Sequence, residues 1–274
     1  MSNSVFGLRT RSGSIRDIIE GAPAGDYLLN AYPGAAAAYS LRKLSGTYTG
    51  NIIRVRRSSD NTEQNIGSGL DGNLDTSALT TFCSGTNGFV TTWYDQSGNS
   101  NNAVQTSAAE QPQIVSAGNL LTFNGKAALS FDGNDDFFTP VGGYPITDFY
   151  YVINTTDTQY LYPFYSSVTY GFVATIGSGS GSSAGFGTPS LYSNGILRTS
   201  ATRGQVYSAQ NGYRLNVHQG ANTSSWTGGY RFFGYSYSSF TLQGNVQEII
   251  IYPSNQSSNR TGIETNINTH YNIY

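Results

Sequence analysis

At 274 residues the chain has room for one large all-β domain or two small ones, each with a real core. Only 11% of residues are charged, against about 25% in an average soluble domain, and the net charge is −2, so no overall field draws nucleic acid. Aromatic residues make up 14% of the chain, which argues against disorder, and the single Cys83 excludes an intrachain disulfide or a cysteine metal cluster.

Met1 to Gly34 reads as an arm. It carries small polar residues, a short amphipathic piece Ser14 to Glu20 closed by Gly21, and Pro23 and Pro33 around Tyr27-Leu28-Leu29. No apolar signal region opens it, and no apolar run reaches the roughly 20 residues that span a bilayer, so membrane insertion is not expected. Apolar residues on so short a segment predict docking on another subunit. Ala35 to Leu44 predicts a helix from its alanines, with Leu41 and Leu44 on one side. Arg54-Val-Arg56-Arg57 predicts a strand with a basic face, Asp60 to Glu63 a turn, and Leu74 to Cys83 a short helix capped by Asp75 with a buried thiol.

Gly88 to Val104 organises the chain. Phe89 to Tyr94 has the β-branched and aromatic composition of a packed strand, and Asp95 to Asn102 is a cluster of turn formers. From Pro112 onward the pattern is β: Gln113 to Val115, Leu120 to Phe123, Ala127 to Phe131, Phe149 to Ile153, Gly171 to Ile176, Gln205 to Tyr207 and Arg214 to Val217. Gly177 to Gly187 reads as a long loop, Gly244 to Tyr252 as the longest apolar strand, and Asn259 to Tyr274 as a closing helix on Ile263, Ile267 and Tyr271.

The stretches AAAYSLRKLSGTYTGNIIRVRRSSDN, LDTSALTTFC and GFVTTWYDQSGNSNNAVQ resemble the N-terminal part of the glycoside hydrolase family 54 arabinofuranosidase catalytic domains. They resemble equally the related non-enzymatic modules of phage virion proteins. The resemblance covers Ala35 to about Phe138 and returns at Gly244 to Pro253. It implies an all-β fold, an antiparallel concanavalin A-like (laminin-G-like) jelly-roll β-sandwich with a few short helices, over residues 35–274.

An enzyme of that family needs two carboxylates about 5 Å apart in a retaining mechanism. By the resemblance, the nucleophile falls in the middle of the domain and the acid in a loop before the last long strand. Phe149 to Phe172 offers only Asp157, and Gly234 to Phe240 offers no acidic residue. Glu248 matches a glutamate in the last strand and reads as structural. His218 and His270 belong to no nucleophilic motif. The sequence therefore predicts no catalytic residues and no enzyme. Asp132, Asn134 and Asp136 alternate like the start of a Ca²⁺ loop but lack its later ligands, so a turn is expected, with weak Ca²⁺ as the only cofactor to consider.

What remains is a binding surface. Trp226, Tyr235 and Tyr237 offer rings, and Asp95, Gln96 and Asn99 offer polar partners, for a glycan bound in a groove between the two loops. The sequence reading is thus a phage virion structural protein on the particle exterior, as capsid decoration, head fibre or tail appendage. It would be held to other virion proteins by its arm, be homo-oligomeric in the assembly, and bind host or environmental glycans. A secreted arabinofuranosidase-type hydrolase and a purely structural subunit are the alternatives.

Overall fold

The computed structural model describes residues 27–155, 160–166, 172–175, 190–198, 208–221, 230–234 and 241–274. Its seam is the longest strand, Gln243–Tyr252. Along one edge its first half pairs with Leu129–Asp132 and its second half with Ala37–Ser40; along the other runs the whole of Asp148–Thr155. Beyond Asp148–Thr155 the sheet continues through Gly212–Gln219, Ser190–Ser193 and Ile196–Arg198. Beyond Leu129–Asp132 it continues through Gln113–Ser116, Gly88–Trp93, Ala103–Val104 and Thr139–Pro140. These pairings are antiparallel. A three-stranded sheet, Phe172–Thr175, Tyr160–Ser166 and Tyr230–Phe232, packs on it, with the Phe164 and Phe232 rings 6.0 and 6.5 Å from Phe149. The fold is the antiparallel β-sandwich that the sequence predicts.

The central strands are buried on both faces. In Asp148–Thr155, Phe149, Tyr151 and Ile153 enter the main core with Trp93, Ile249 and Ile251. The alternating Tyr150 and Val152 join Leu215, Val217, Ile250 and Tyr252 in a second core under the closing helix Arg260–Tyr271, which inserts Ile263, Ile267 and Tyr271. A strand covered on both sides reads as a nearly continuous apolar run, and Phe149 to Ile153 is one. The register against Asp148–Thr155 slips after Val152, which faces Glu248 while Ile153 faces Val246, so Gln247 is the extra residue of a bulge. The bulge turns Glu248 away from the main core and under the helix.

Other expectations need correcting. Ala35 to Leu44 is not helical: Ala37–Ser40 is a strand with all four residues buried. The alanines are there because the segment is packed closely in the interior, a demand that overrides helix propensity. The expected boundary at Gly34 does not match the packing of residues 27–34. Residues 1–26 lie outside the described residues, but Leu28–Ala31 forms a helical turn whose Leu28 is fully buried in the second core. Tyr252 donates its hydroxyl to the Tyr32 carbonyl at 2.7 Å, so residues 27–34 belong to the domain. The helix Thr76–Phe82 forms as predicted, with Asp75 accepting from the Ala78 amide at 2.9 Å. Arg54 pairs with Glu63 and Arg57 with Asp60, and Arg56 donates to Gln111, so the basic strand is internally satisfied. Ser14 to Glu20, Gly177 to Gly187 and Gln205 to Tyr207 lie outside the described residues. No helix among the described residues is long and apolar enough to cross a membrane.

Candidate functional site

The organising turn works inward. Asp95 Oδ1 accepts the amides of Ala38 at 2.8 Å and Ser97 at 2.9 Å; its Oδ2 accepts the Ser97 hydroxyl and the Asn101 amide. Gln96 accepts from the Leu44 amide at 2.8 Å and donates to the Ser40 and Arg42 carbonyls. Asn99 donates to the Ala35 and Ala36 carbonyls. Asp95 and Gln96 are buried, and all three side chains clamp the 35–44 segment, where a peptide backbone replaces the sugar expected from sequence. The polar half of the expected groove is therefore not supplied by these residues. Its aromatic half, Trp226, Tyr235 and Tyr237, lies outside the described residues.

Most other carboxylates are also spent. Glu248 accepts two bonds from Arg42, at 2.9 and 3.1 Å, one from Ser40 at 2.7 Å and one from Tyr271 at 3.1 Å. Burial pushes its carboxyl up, but the Arg42 guanidinium and the Ser40 hydroxyl more than offset that and hold it below the usual range. Asp148 accepts from the Gly220 and Gln256 amides and from the Gln219 side chain. Neither is available to a substrate.

Among the described residues a cluster of carboxylates stands in the turn after Leu129–Asp132. One carboxylate oxygen from each of Asp132, Asp135 and Asp136 lies within 4.8 Å of the others. Burial pushes Asp136 up to about 7, and the nearby Asp132 and Asp135 add to the shift, against a backbone bond from the Asp132 amide. Part of the turn stabilises itself: Asp132 accepts from the Asn134 amide and side chain. The expected turn is present. The Ca²⁺-type grouping differs from the alternation seen in sequence, because Asp135 joins Asp132 and Asp136 while Asn134 spends its amide on Asp132. The turn lies beside the last-strand loop: Gly133 abuts Gln243, and Gly234 abuts Phe137 so closely that a Cβ there would sit 2.6 Å from the Phe137 Cβ.

A second polar group, missed in the sequence, interrupts the main core. His218 Nε2 lies 2.8 Å from the Gln210 amide nitrogen and 3.2 Å from the Tyr151 hydroxyl, and burial pushes the imidazole down to about 3. Next to it Asn216, fully buried, has no partner among the described residues for either amide atom, and neither does Gln210 Oε1. The signal was in the strand: Asn216 and His218 alternate with Leu215 and Val217. Such alternation is usually read as a solvent face, but here Leu215 and Val217 face the helix and the polar pair faces inward.

A family model described as the catalytic domain of α-L-arabinofuranosidase B matches residues 24–172, more than half of the chain. The chain belongs to the α-L-arabinofuranosidase B catalytic family. Among curated proteins it is similar to α-L-arabinofuranosidase B of Emericella nidulans, 32% identical over 152 residues, which is 52% of this chain and 28% of that protein. It is also similar to a probable α-L-arabinofuranosidase B of Aspergillus niger, 30% identical over 46% of this chain and 26% of that protein. The chain thus aligns with little more than a quarter of these relatives. Among solved structures it resembles a GH54 α-L-arabinofuranosidase soaked with a cyclic sulfate inhibitor, at TM-score 0.53 and 20% identity, covering 85% of this chain and 62% of that one. An arabinofuranosidase complexed with arabinofuranosyl-α-1,2-xylobiose gives TM-score 0.51 at 18% identity over the same shares. These structural likenesses carry the sandwich fold.

Membership of this family corrects three readings of the sequence. The non-enzymatic reading gives way because the matched family is a hydrolase catalytic domain. The phage virion reading and the placement on a virion surface give way because the relatives are fungal arabinofuranosidases.

Proposed function

We propose that this chain is a glycoside hydrolase domain of arabinofuranosidase type, cleaving terminal arabinofuranosyl groups from a glycan. The observation that carries the reading is the catalytic-domain match over residues 24–172. A retaining glycosidase needs a carboxylic acid to protonate the leaving oxygen and a carboxylate about 5 Å away to attack the anomeric carbon; water then releases the sugar. Asp136, which keeps its proton up to about 7, suits the acid. Asp132 and Asp135, each with a carboxylate oxygen within 4.8 Å of one on Asp136, are the candidates for the attacking carboxylate. Asp157, the only acidic residue between Asp148 and Glu248, is the competing nucleophile and lies outside the described residues.

The test is release of nitrophenol from 4-nitrophenyl α-L-arabinofuranoside. Turnover by the wild type with a loss of about 100-fold or more in Asp136→Asn supports both the reaction and the site. Loss in Asp157→Asn with Asp136→Asn unaffected moves the site to the segment after Thr155. No turnover by the folded wild type on this substrate or on arabinan overturns the hydrolase reading.

A further inference from the structure

On the helix-covered side of the sandwich lies a cleft of about 650 Å³, walled by the closing helix, the turn around Asp71 and residues 27–32. It runs on into a smaller hollow of about 290 Å³, the two sharing Asp71, Asn73, Lys126 and His270. It shares no residue with the carboxylate turn at Asp132 to Asp136. Its size is that of an ordinary ligand site.

Its floor is cationic. Arg42 is buried, with Nε and Nη2 bound to Glu248 and Nη2 also to Asn266. Lys43 and Lys126 flank it, and neither forms an ion pair with a described residue; Lys43 donates to the Gly46 carbonyl at 3.2 Å and lies 5.6 Å over the Tyr27 ring. Within the cleft Asp71 is the one opposing carboxylate among the described lining residues, since Glu248 beneath is committed to Arg42. Neither ring nitrogen of His270 bonds a described residue. Burial and the Arg42 charge hold this imidazole down at about 3, with Lys126 acting in the same direction and Glu248 and Asp71 opposing. Around this floor stand the Tyr27 and Tyr32 rings, the Asn73 and Asn266 amides and the hydroxyls of the helix threonines. Unmatched positive charge calls for an anion, and rings interleaved with amides and hydroxyls suit a sugar face.

We propose that this cleft binds an acidic oligosaccharide, with the carboxylate of a uronate residue on Arg42, Lys43 and Lys126 and the sugar rings against Tyr27 and Tyr32. The site would hold the domain on a charged glycan while hydrolysis proceeds elsewhere, and it does not depend on the hydrolytic reading. The probe is trigalacturonate, titrated calorimetrically into the intact protein beside its methyl ester and inorganic phosphate. Trigalacturonate binding that weakens at high salt, and at least tenfold on methyl esterification, is the expected result. Lys43→Ala with Lys126→Ala should lower affinity at least tenfold with the melting temperature and arabinofuranoside turnover unchanged. Equal binding of the methyl ester, or wild-type affinity in the double variant, overturns the proposal. So does phosphate binding as tightly as trigalacturonate, which would make the cleft a simple anion site.

Discussion

Glu248 and Arg42 form a charge pair that the bulge at Gln247 places under the closing helix, with Glu248 buried and Arg42 reaching the floor of the cleft. A buried, hydrogen-bonded pair contributes little net stability compared with an apolar pair of the same shape, but removing one partner leaves a naked buried charge. Glu248→Gln should therefore cost about 3–5 kcal/mol in urea denaturation, whereas Arg42→Met with Glu248→Leu should lie closer to wild type. A Glu248→Gln variant of wild-type stability would show that the carboxylate is not a structural anchor. The same substitution should leave hydrolysis by the folded fraction unchanged, which separates an anchoring glutamate from a catalytic one. The sequence made Glu248 legible as structural, since it stands alone in an apolar strand. It did not reveal the partner, because Arg42 fell within a predicted helix whose side chains would point elsewhere.

At the scale of elements, most of the chain declared itself where a strand obeys one clear period or a helix carries its own cap. Asp75 and the spacing Ile263, Ile267, Tyr271 located two helices because those signals are local. The 35–44 segment did not declare itself, because its conformation is set by partners about 55 and 210 residues away: Asp95 and Gln96 on one side and strand Gln243–Tyr252 on the other. Propensity is weaker than that packing. The inward polar face of Gly212–Gln219 stayed hidden for a related reason, since nothing local says which face of an alternating strand is covered. Residues 27–34 provide a direct test. Leu28→Ala should cost about 2–5 kcal/mol, because the side chain is fully buried in the second core. Deleting residues 1–26 should leave urea stability unchanged, and deleting residues 1–34 should lower it by at least as much as Leu28→Ala. Equal stability of the two truncations would show that residues 27–34 add nothing to the core. Gly244 marks where two strands approach too closely for a side chain: a Cβ there would lie 2.2 Å from the Asn154 carbonyl oxygen. Gly244→Ala should accordingly open the pairing with Asp148–Thr155 and prevent stable folding.

For the molecule as a whole, acid sensitivity follows from a few buried groups that pull in opposite directions. His218 and His270 are held down at about 3, so on acidification below about 6.5 the unfolded chain takes up protons that the folded chain refuses. Their contribution is fully present above 6.5 and is lost as pH falls toward 3. Asp136 acts the other way: its folded carboxyl ionises only at about 7, so its contribution is fully present below about 4 and is lost as pH rises through 7. Glu264, raised by burial against the pull of Arg260, opposes the histidines in the same sense as Asp136. His270 lines an open cleft and counts for less than a full proton, so His218 is the cleaner probe. Between pH 6 and 4, wild-type stability measured against His218→Gln should fall by about 1.4 kcal/mol per pH unit, the linkage value for one proton. Measured against Asp136→Asn over the same range it should rise by a similar amount. A His218→Gln difference that does not vary with pH would mean that the buried imidazole already carries its proton in the folded state, with the Tyr151 hydroxyl and the Gln210 amide rearranged to accommodate the charge.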